Sequence, residues 1–386
     1  MSKTPKLRFK EFSGDWGIYL LGKSITLYDN ERKPVKEQER NSGEYAYYGA
    51  TGIIDYIDDY IFEGEYLLLG EDGANIVTRN APLIYKTHGK FWVNNHAHIF
   101  KPKEGFNIDY MKQRLELINY IPYNTGTAQP KLNADSIKSI PFKAPTLEEQ
   151  EKIASLFSLI DEKIYLQDEK LKMLKDYKKG MMQKIFSREL RFKDDEGRDY
   201  PEWEEKKLRD ILTPRIEKQV PSQEAPLMAF TSTGGIEPKG DKYDRSFLVK
   251  SDGKLYKRTE LNDFIYSSNN LDVGSIGLNK YGTAVISDVY EVFIISKEVS
   301  CNFISELIQI PKVLNKVIRY RQGVMYGQYR IHADEFLKIR EFIPCLEEQC
   351  KIDKFIGNID LKIKKEQEKL GYLNEYKKGL LQQMFV

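Results

Sequence analysis

The sequence has few of the residues that build metal centres or disulfide frameworks. It contains three cysteines, Cys301, Cys345 and Cys350, and four histidines among 386 residues. The cysteines have neither the number nor the spacing of a disulfide set or a zinc site. These shortages exclude a disulfide-stapled domain and a cysteine–histidine metal centre, and they favour a reducing cytoplasm.

Long apolar runs and a surplus of one charge sign are also missing. No stretch approaches the length that crosses a bilayer, so we expect no membrane segment. The net charge is only +2, which argues against nucleic-acid binding by bulk electrostatics but is compatible with a local basic face. With 41% hydrophobic and 31% charged residues, the composition is ordinary for a soluble globular protein, and the length predicts two or three domains.

One match to an enzymatic motif is present, and we reject it. Residues 17–24 read G-I-Y-L-L-G-K-S, which literally fits the phosphate-binding loop of nucleotide hydrolases. The apolar interior is unlike a flexible loop, and no β-strand is predicted before it. His96 and His98 could share a strand face as metal ligands, but no further ligands are near, so a structural pair is favoured.

The dominant feature is a long internal repeat. Residues 145–186 align without a gap with residues 344–385, and half of the aligned positions are identical. The run L-E-E-Q occurs at 147–150 and 346–349, and Y-K-K-G occurs at 177–180 and 376–379. The chain is therefore a duplicated unit, which constrains every local assignment.

Both copies predict one long helix with a coiled-coil seam, because apolar residues recur at alternating steps of three and four. A seam of about 35 residues spans roughly 50 Å. Two seam positions are polar in both copies, Gln167 with Glu366 and Lys178 with Lys377, as expected where a polar group sets register. The alternative is two amphipathic helices that each pack only on their own domain. The predicted seam residues are Ile153, Phe157, Ile160, Ile164, Leu171, Leu174, Ile352, Ile356, Ile359, Ile363, Leu370 and Leu373.

The repeat extends beyond the helices to the blocks that precede them. Trp16 and Trp203 are each followed five residues later by leucine, before variable blocks of short apolar runs, many tyrosines and glycine or asparagine turns. Such blocks are mostly β, with one helix near residues 110–120 and another near 303–317. The fold class is therefore α+β. The predicted strands include 53–57, 65–69, 91–100, 263–266 and 283–296, and the predicted domains are 1–144 (β-rich), 145–187 (helix), 188–343 (linker and second β-rich block) and 344–386 (helix).

At these motifs the chain resembles the specificity subunit of type I restriction-modification systems, over essentially its full length. The resemblance rests on the duplicated halves, on T-G-T-A-Q-P-K-L at 125–132, and on the repeated L-E-E-Q and Y-K-K-G runs. It implies two target recognition domains in tandem, related by a pseudo-two-fold axis. It also implies that the two long helices pack antiparallel, as a spacer and as the docking surface for two methyltransferase (modification) subunits.

The resemblance implies a double-stranded DNA target with two half-sites separated by a nonspecific spacer. Adenine N6 methylation or ATP-driven cleavage would belong to partner subunits, which would hold S-adenosylmethionine, ATP and Mg, with no cofactor and no metal in this chain. Whether a restriction endonuclease/translocase subunit joins them is left open. The duplication in the sequence leads to the same expectation, because two unlike units joined by two long helices predict a bipartite, asymmetric target. Resemblance to adenine methyltransferases would require a loop of the form N-P-P-[FYW] or D-P-P-[FYW]. The sequence contains neither, so catalysis is expected in another chain.

Candidate DNA-reading residues are polar, basic or aromatic side chains on predicted loops, which suit base edges and phosphates. The second block departs from the T-G-T run, with Gly323–Met325 in its place. An alternative function is a scaffold that binds proteins and no DNA. The candidates are Tyr47, Tyr48, Thr51, Arg79, Asn80, Thr125, Thr127, Gln129 and Lys131 in the first block, and Thr231, Ser232, Thr233, Asn269, Asn270, Arg319, Arg321, Tyr326, Gln328 and Arg330 in the second.

Overall fold

The computed structural model describes residues 4–231, 235–238, 253–268, 276–319, 322–325 and 328–386. The chain divides into unit 1, made of Met1–Lys170 and Glu366–Val386, and unit 2, made of Leu171–Lys365. Each unit thus combines a β-rich block with one end of each long helix. The predicted α+β class, with tandem β-rich units and two long helices, is confirmed. Among the described residues, no helix has both the length and the apolar character needed to cross a membrane.

The β-rich block of unit 1 holds two four-stranded sheets, ordered β2-β9-β6-β7 and β4-β3-β8-β5, and a two-stranded sheet of β1 with β10. Strand β6 carries the run Y-L-L-L-G and is buried along its whole length, as expected for a central strand covered on both faces. The elements are β1 (Gly17–Leu20), α1 (Leu21–Ser24), β2 (Ile25–Leu27), β3 (Ser42–Gly49), β4 (Gly52–Ile57), β5 (Phe62–Glu63), β6 (Tyr66–Gly70), α2 (Asn75–Thr78), β7 (Ile84–Thr87), β8 (Lys90–Val93), β9 (Ala97–Pro102), α3 (Ile108–Glu116), α4 (Ala134–Lys138), β10 (Pro141–Ala144) and the long helix α5 (Leu147–Phe186), with 3-10 turns at Asp29–Glu31, Glu37–Glu39 and Ile121–Tyr123.

The β-rich block of unit 2 has a related sheet ordered β12-β20-β17-β18, accompanied by smaller sheets among the described residues. Its elements are β11 (Glu204–Lys207), β12 (Leu212–Pro214), β13 (Lys218–Gln219), β14 (Met228–Thr231), β15 (Gly235–Pro238), β16 (Tyr256–Thr259), β17 (Phe264–Ser267), β18 (Ile276–Leu278), β19 (Ala284–Ile286), β20 (Tyr290–Ile295), α6 (Cys301–Gln309), α7 (Pro311–Arg319), β21 (Gln322–Met325), β22 (Gln328–Arg330), α8 (Ala333–Phe336), β23 (Arg340–Ile343) and the long helix α9 (Leu346–Met384), with a 3-10 turn at Leu208–Asp210.

Each core includes residues from both long helices. In unit 1, Leu380, Met384 and Phe385 from the end of α9 pack into the same core as Ile153 and Phe157 from the start of α5. In unit 2, the roles are exchanged, since Ile185 from the end of α5 joins Ile352 and Ile356 from the start of α9. Neither core is complete with one helix alone.

Within each unit the two helices run antiparallel. In unit 1, Gln167 Nε2 donates to Glu366 Oε2 at 2.7 Å, and Lys377 pairs with Asp161 at 2.6 Å. In unit 2, Lys178 Nζ donates to Asp360 Oδ2 at 2.9 Å.

All of the predicted seam residues are buried or half-buried. The buried ones are Ile153, Phe157, Ile160, Leu171, Ile352, Ile356 and Ile359. The half-buried ones are Ile164, Leu174, Ile363, Leu370 and Leu373.

Three predicted elements are broken in the structure. The strand expected at 283–296 is two strands, β19 and β20. The helix expected near residues 303–317 is two helices, α6 and α7, because Pro311 has no N–H to donate and holds the preceding Ile310 at an extended ψ of 134°. The strand expected at 91–100 is also two strands, β8 and β9. Asn94 Oδ1 accepts the N–H of His96 at 2.8 Å there, which forms a turn in the middle of the run.

Candidate nucleic-acid interface

Three loops of unit 1 meet at one edge of its central sheet. The β3–β4 turn lies against Gly70, where an added Cβ would approach the Ala50 carbonyl to 2.6 Å. The loop that follows β6 meets the 124–131 loop, because Gly73 N donates to Pro130 O at 3.0 Å and Leu132 N donates to Glu71 O at 2.7 Å. We call residues 50–51, 71–73 and 124–131 the loop edge.

The 124–131 loop is ordered by its own hydrogen bonds. Asn124 Oδ1 accepts the N–H of Gly126 at 3.0 Å and of Lys131 at 2.8 Å. Thr125 donates its N–H and its hydroxyl to Lys131 O at 2.8 and 3.1 Å. A Cβ at Gly126 would collide with the Gln129 carbonyl, so the T-G-T run needs glycine for a close backbone approach.

Most of the predicted unit 1 candidates have exposed side chains, and all of these except Asn80 lie at the loop edge. The exposed candidates are Thr51, Asn80, Thr125, Thr127, Gln129 and Lys131. Tyr48 is half-buried against Phe91, and burial raises the pKa of its hydroxyl.

Two of the predicted candidates in unit 1 are engaged inside the protein. Tyr47 is 1% exposed, and its hydroxyl hydrogen-bonds the backbone of Val35, so it has almost no surface to offer DNA. The strand alternation of β3 turns this tyrosine inward, although its neighbours in the Y-A-Y-Y run suggested a surface loop. Arg79, in the left-handed conformation at φ 51°, donates to the Glu116 carboxylate and to the Glu116 carbonyl.

A buried polar network supports the loop edge from below. His98 lies between Asp29 and the Leu132 carbonyl, with Nδ1 2.6 Å from Asp29 Oδ2 and Nε2 2.8 Å from Leu132 O. Arg32 Nη1 donates to Glu71 Oε2 at 2.7 Å. Burial would raise the pKa of Asp29, but hydrogen bonds from His98 and from the Ile99 N–H, together with the Arg32 charge, lower it overall. Asp29 is therefore ionised at neutral pH.

Unit 2 repeats the backbone frame of the loop edge with different side chains. Ile331 N donates to Ser268 O at 3.1 Å, and Ser268 N donates to Val289 O at 3.0 Å. The matching bonds in unit 1 run from Leu132 N to Glu71 O and from Glu71 N to His96 O. A serine therefore occupies the place of the Glu71 carboxylate.

Few of the predicted unit 2 candidates have described side chains. Thr231 in β14 is half-buried and its hydroxyl donates to Glu237 Oε2 at 3.2 Å, while Arg319 is exposed at the end of α7. Gln328 and Arg330 lie in β22. Ser232, Thr233, Asn269, Asn270, Arg321 and Tyr326 lie outside the described residues.

The residues rejected as a phosphate loop form regular structure. Gly17–Leu20 is strand β1, paired with Pro141–Ala144, and Leu21–Ser24 is a helical turn. The Ser24 hydroxyl is buried and donates to Leu20 O at 3.1 Å. Over the part of the chain that the structure describes, no group of three histidine, cysteine, aspartate or glutamate side chains is placed to hold a metal ion.

Most of the β-rich block of unit 1 is similar to a known family. Residues 14–176 match the family model of the type I restriction modification DNA specificity domain. The match covers less than half of the chain, and over these residues the chain is similar to that family. Residues 14–176 contain the whole loop edge and most of α5.

The chain is also similar to curated proteins over part of its length. A type I restriction enzyme specificity subunit of Haemophilus influenzae is 36% identical over 140 residues, which are 36% of each chain. The EcoprrI specificity subunit of Escherichia coli is 29% identical over 127 residues, 33% of this chain and 30% of that one. The MjaVIII specificity subunit of Methanocaldococcus jannaschii is 26% identical over 227 residues, 53% and 52% of the two chains. The matched stretches thus span a third to a half of these relatives.

Solved structures are similar in fold to this chain beyond residues 14–176 as well. The crystal structure of a type I restriction-modification S subunit from M. genitalium superposes with a TM-score of 0.59 at 13% identity, over 99% of both chains. A chain from a structure on complex assembly and conformational transition of the type I R-M system gives 0.52 at 12% identity, over 95% of this chain and 96% of that one. The fold of both units therefore follows S subunits.

The sequence did not predict the buried polar network beneath the loop edge. Asp29, Arg32, Glu71 and His98 come from separate segments, so no local motif joins them. The available signal was a histidine inside the apolar run A-H-I-F of β9, where a polar side chain needs partners.

Proposed function

We propose that this chain is the DNA-recognition subunit of a type I restriction-modification system and reads a bipartite, asymmetric target with one half-site per unit. The observation that carries the proposal is the loop edge, an exposed polar surface on an ordered loop within the matched residues 14–176. The unlike side chains on the matching backbone frame of unit 2 support different bases for the second half-site.

The chemistry of the loop edge suits DNA. The amide of Gln129 can donate to and accept from an adenine edge, and the hydroxyls of Thr125 and Thr127 suit phosphate oxygens. Outside the loop edge, the exposed amide of Asn80 offers the same chemistry. The Lys131 ammonium lies 3.3 Å from Glu71 Oε1, which holds it in place as a point charge. Since the net charge is only +2, binding by the chain alone is expected to be weak and sensitive to salt.

In this proposal the reactions belong to partner subunits. Two methyltransferase subunits would carry out adenine N6 methylation with S-adenosylmethionine, and a restriction endonuclease/translocase subunit, where one exists, would use ATP and Mg for cleavage. Apolar side chains at the surface of the long helices support docking of such partners. In unit 1, Leu159 is 65% exposed and Tyr372 is 75% exposed, and Met173 of unit 2 is 63% exposed. In this proposal these exposed apolar side chains belong to the docking surface.

The decisive experiment is methylation mapping. The chain is expressed with its methyltransferase subunit, and methylated adenines are located across a genome by sequencing. We expect two short sequence blocks separated by a fixed gap. Exchange of residues 17–141 for the corresponding block of another specificity subunit should change one block and leave the other and the gap intact. A reconstituted complex that methylates without sequence preference would contradict the proposal.

Docking is tested separately. The double variant Leu159→Glu, Tyr372→Glu should lose co-purification with the methyltransferase subunit, because charge is placed on the exposed helix surface. Ile216→Glu, at an 85% exposed position in the β-rich block of unit 2, is the matched control and should retain it. Stable partners other than a methyltransferase, together with no DNA preference, would favour the protein-binding scaffold instead.

A further inference from the structure

His98 makes two hydrogen bonds that a neutral imidazole cannot make together. Nε2 faces the Leu132 carbonyl at 2.8 Å, and Nδ1 faces the Asp29 carboxylate at 2.6 Å. A carbonyl and an ionised carboxylate only accept hydrogen bonds, so both ring nitrogens must donate. The geometry therefore requires the imidazolium form.

The surroundings of His98 can hold this charge. The ring is 1% exposed, and the charged groups that face it are Asp29, Glu71 at 3.8 Å from Nδ1, Arg32 and Lys131. Arg32 and Lys131 reach His98 only through these carboxylates, since Arg32 pairs with Asp29 and Glu71, and Lys131 pairs with Glu71.

The Nε2 hydrogen bond is accepted by the carbonyl of Leu132, the residue that follows the 124–131 loop. Leu132 is buried, follows Lys131 directly and donates its own N–H to Glu71 O. His98 thereby ties the residue that directly follows the 124–131 loop to strand β9. Loss of the proton would leave two acceptors facing a ring with one donor, and one of the two bonds would break.

We propose that protonated His98 is a positioning residue for DNA recognition by unit 1, which makes the reading of its half-site dependent on pH. This inference rests on the proposed function. His98 does not touch DNA, but it fixes the loop that carries Thr125, Thr127 and Gln129. Deprotonation at alkaline pH releases the loop, and discrimination at the first half-site falls.

Unit 2 has an anchor that does not titrate in the same range. The Tyr266 hydroxyl donates to Ile331 O at 3.1 Å, and Ile331 is the counterpart of Leu132. A tyrosine hydroxyl keeps its proton across the neutral range, whereas an imidazole ordinarily titrates near pH 6.5. The two half-sites should therefore respond differently to pH in a single molecule, which provides an internal control.

The protonation state is tested without DNA. In the full chain labelled with 15N-histidine, the His98 signals are assigned by their loss in His98→Gln. At pH 7 we expect both ring nitrogens to show the closely spaced shifts of an imidazolium. Well-separated shifts, which mark a neutral ring, would overturn the inference. This result does not depend on whether the chain reads DNA.

The effect on recognition is tested in the complex with methyltransferase subunits, by selection from a duplex DNA library in which both half-sites are randomised, at pH 6.5 and 9. For the wild type, discrimination at half-site 1 should fall about tenfold, which matches loss of one hydrogen bond to a charged group, while half-site 2 stays constant. His98→Gln should abolish this pH slope, and His98→Leu should lower discrimination at half-site 1 at both pH values.

Two matched variants separate anchoring from general effects. Tyr266→Phe should lower discrimination at half-site 2 alone. His96→Gln removes the neighbouring histidine, whose Nδ1 lies 2.7 Å from Asp72, and should retain the wild-type pH slope. Equal slopes at both half-sites, or an unchanged slope in His98→Gln, would overturn the inference. If the wild type selects no sequence at all, the proposed function fails, and the histidine spectra still decide the anchor.

Discussion

The two units fasten the start of a long helix with equivalent carboxylates, but they satisfy the neighbouring tryptophan differently. In unit 2, Glu348 is buried and accepts hydrogen bonds from Arg191 Nη2 at 2.9 Å and from Trp203 Nε1 at 3.0 Å. One carboxylate thus binds the linker's arginine and the indole of the β-rich block. The contact joins three segments of unit 2 at one buried point.

In unit 1, as far as the structure describes the chain, the equivalent carboxylate accepts side-chain hydrogen bonds from the arginine and not from the tryptophan. Arg8 donates to Glu149 through Nη2 at 2.7 Å and through Nε at 2.8 Å. The buried Trp16 Nε1 has no hydrogen-bond partner within the described part of the chain. The difference teaches that both halves of the repeat keep the carboxylate that binds an arginine at the start of the long helix. The hydrogen bonding of the neighbouring tryptophan differs between the halves.

The largest difference between the units should come from the ends of the long helices. Phe385 is buried in unit 1 and stacks on Tyr110 with ring centroids 5.4 Å apart, whereas its counterpart Phe186 in unit 2 is only half-buried. Phe385→Ala should lower the free energy of unfolding by about 3–5 kcal/mol, and Phe186→Ala by about 2 kcal/mol. Urea denaturation followed by circular dichroism measures both. Hydrogen exchange should show faster exchange mainly in unit 1 for Phe385→Ala, and equal losses would remove this contrast.

The tryptophans give the next largest contrast. Trp203→Phe removes the donor to Glu348 and should cost about 1–3 kcal/mol, because a buried acceptor loses a partner. Trp16→Phe makes the same loss of ring volume but removes an N–H that has no partner in the described structure, so it should cost less than Trp203→Phe. Thermal unfolding of the two variants side by side is the measurement. A destabilisation by Trp16→Phe as large as that by Trp203→Phe would show that Trp16 has a partner after all.

The helices were predictable from sequence because their determinants are local. The steps of three and four that place Ile153, Phe157 and Ile160 on one face also bury them in the structure. The break at Pro311 was readable from the same local rules, although it was not predicted. Strand order was not predictable, since pairing such as β3 with β8 joins segments far apart in sequence.

The candidate site was predictable only in part, for a related reason. The T-G-T run and Lys131 announce a turn with polar side chains, and the structure exposes them at the loop edge. Tyr47 misled because composition does not say which strand face a tyrosine occupies. Asp29 and His98 were not identified as a pair because 69 residues separate them.

A smaller effect is expected at the recognition loop, and it should be confined to unit 1. Gly126→Ala brings a Cβ into the Gln129 carbonyl and should lower discrimination at half-site 1 about tenfold, equivalent to about 1.4 kcal/mol, without changing half-site 2. Gly180→Ala in α5, where an added Cβ meets nothing, is the matched control. Selection from the randomised duplex library measures both variants. An effect on both half-sites would mean that the loop serves the whole complex.

The smallest contrast concerns pH and the helix contacts of the two units. The hydrogen bond from Gln167, with those of Lys369 and Lys170, lowers the pKa of Glu366 in unit 1 to about 2. Its contribution to stability is present above the unfolded carboxyl pKa of about 4.5 and is lost as pH falls towards 2. Glu366→Gln should flatten the acid limb of stability in unit 1, as measured by hydrogen exchange between pH 2 and 5. An unchanged acid limb would argue against this contact.

In unit 2 the equivalent sensitivity lies at the alkaline end. Burial would lower the pKa of Lys178, but hydrogen bonds and charge from Asp360 and Glu306 raise it overall. A raised lysine pKa stabilises below the unfolded value and loses its effect as pH rises through the folded one. Lys178→Met should therefore remove stability that the wild type loses only above pH 10.5, its ordinary value.

The exchange of helix ends between the two cores also sets an order of completion during protein synthesis. Unit 2 is made of residues up to Lys365, whereas unit 1 needs Leu380, Met384 and Phe385 in addition to its first 170 residues. The half of the chain that leaves the ribosome first must therefore wait, with part of its apolar interior open, until the half that follows has already emerged. Until Phe385 has emerged, a nascent chain of this design exposes part of the apolar interior of unit 1 to chaperones and proteases.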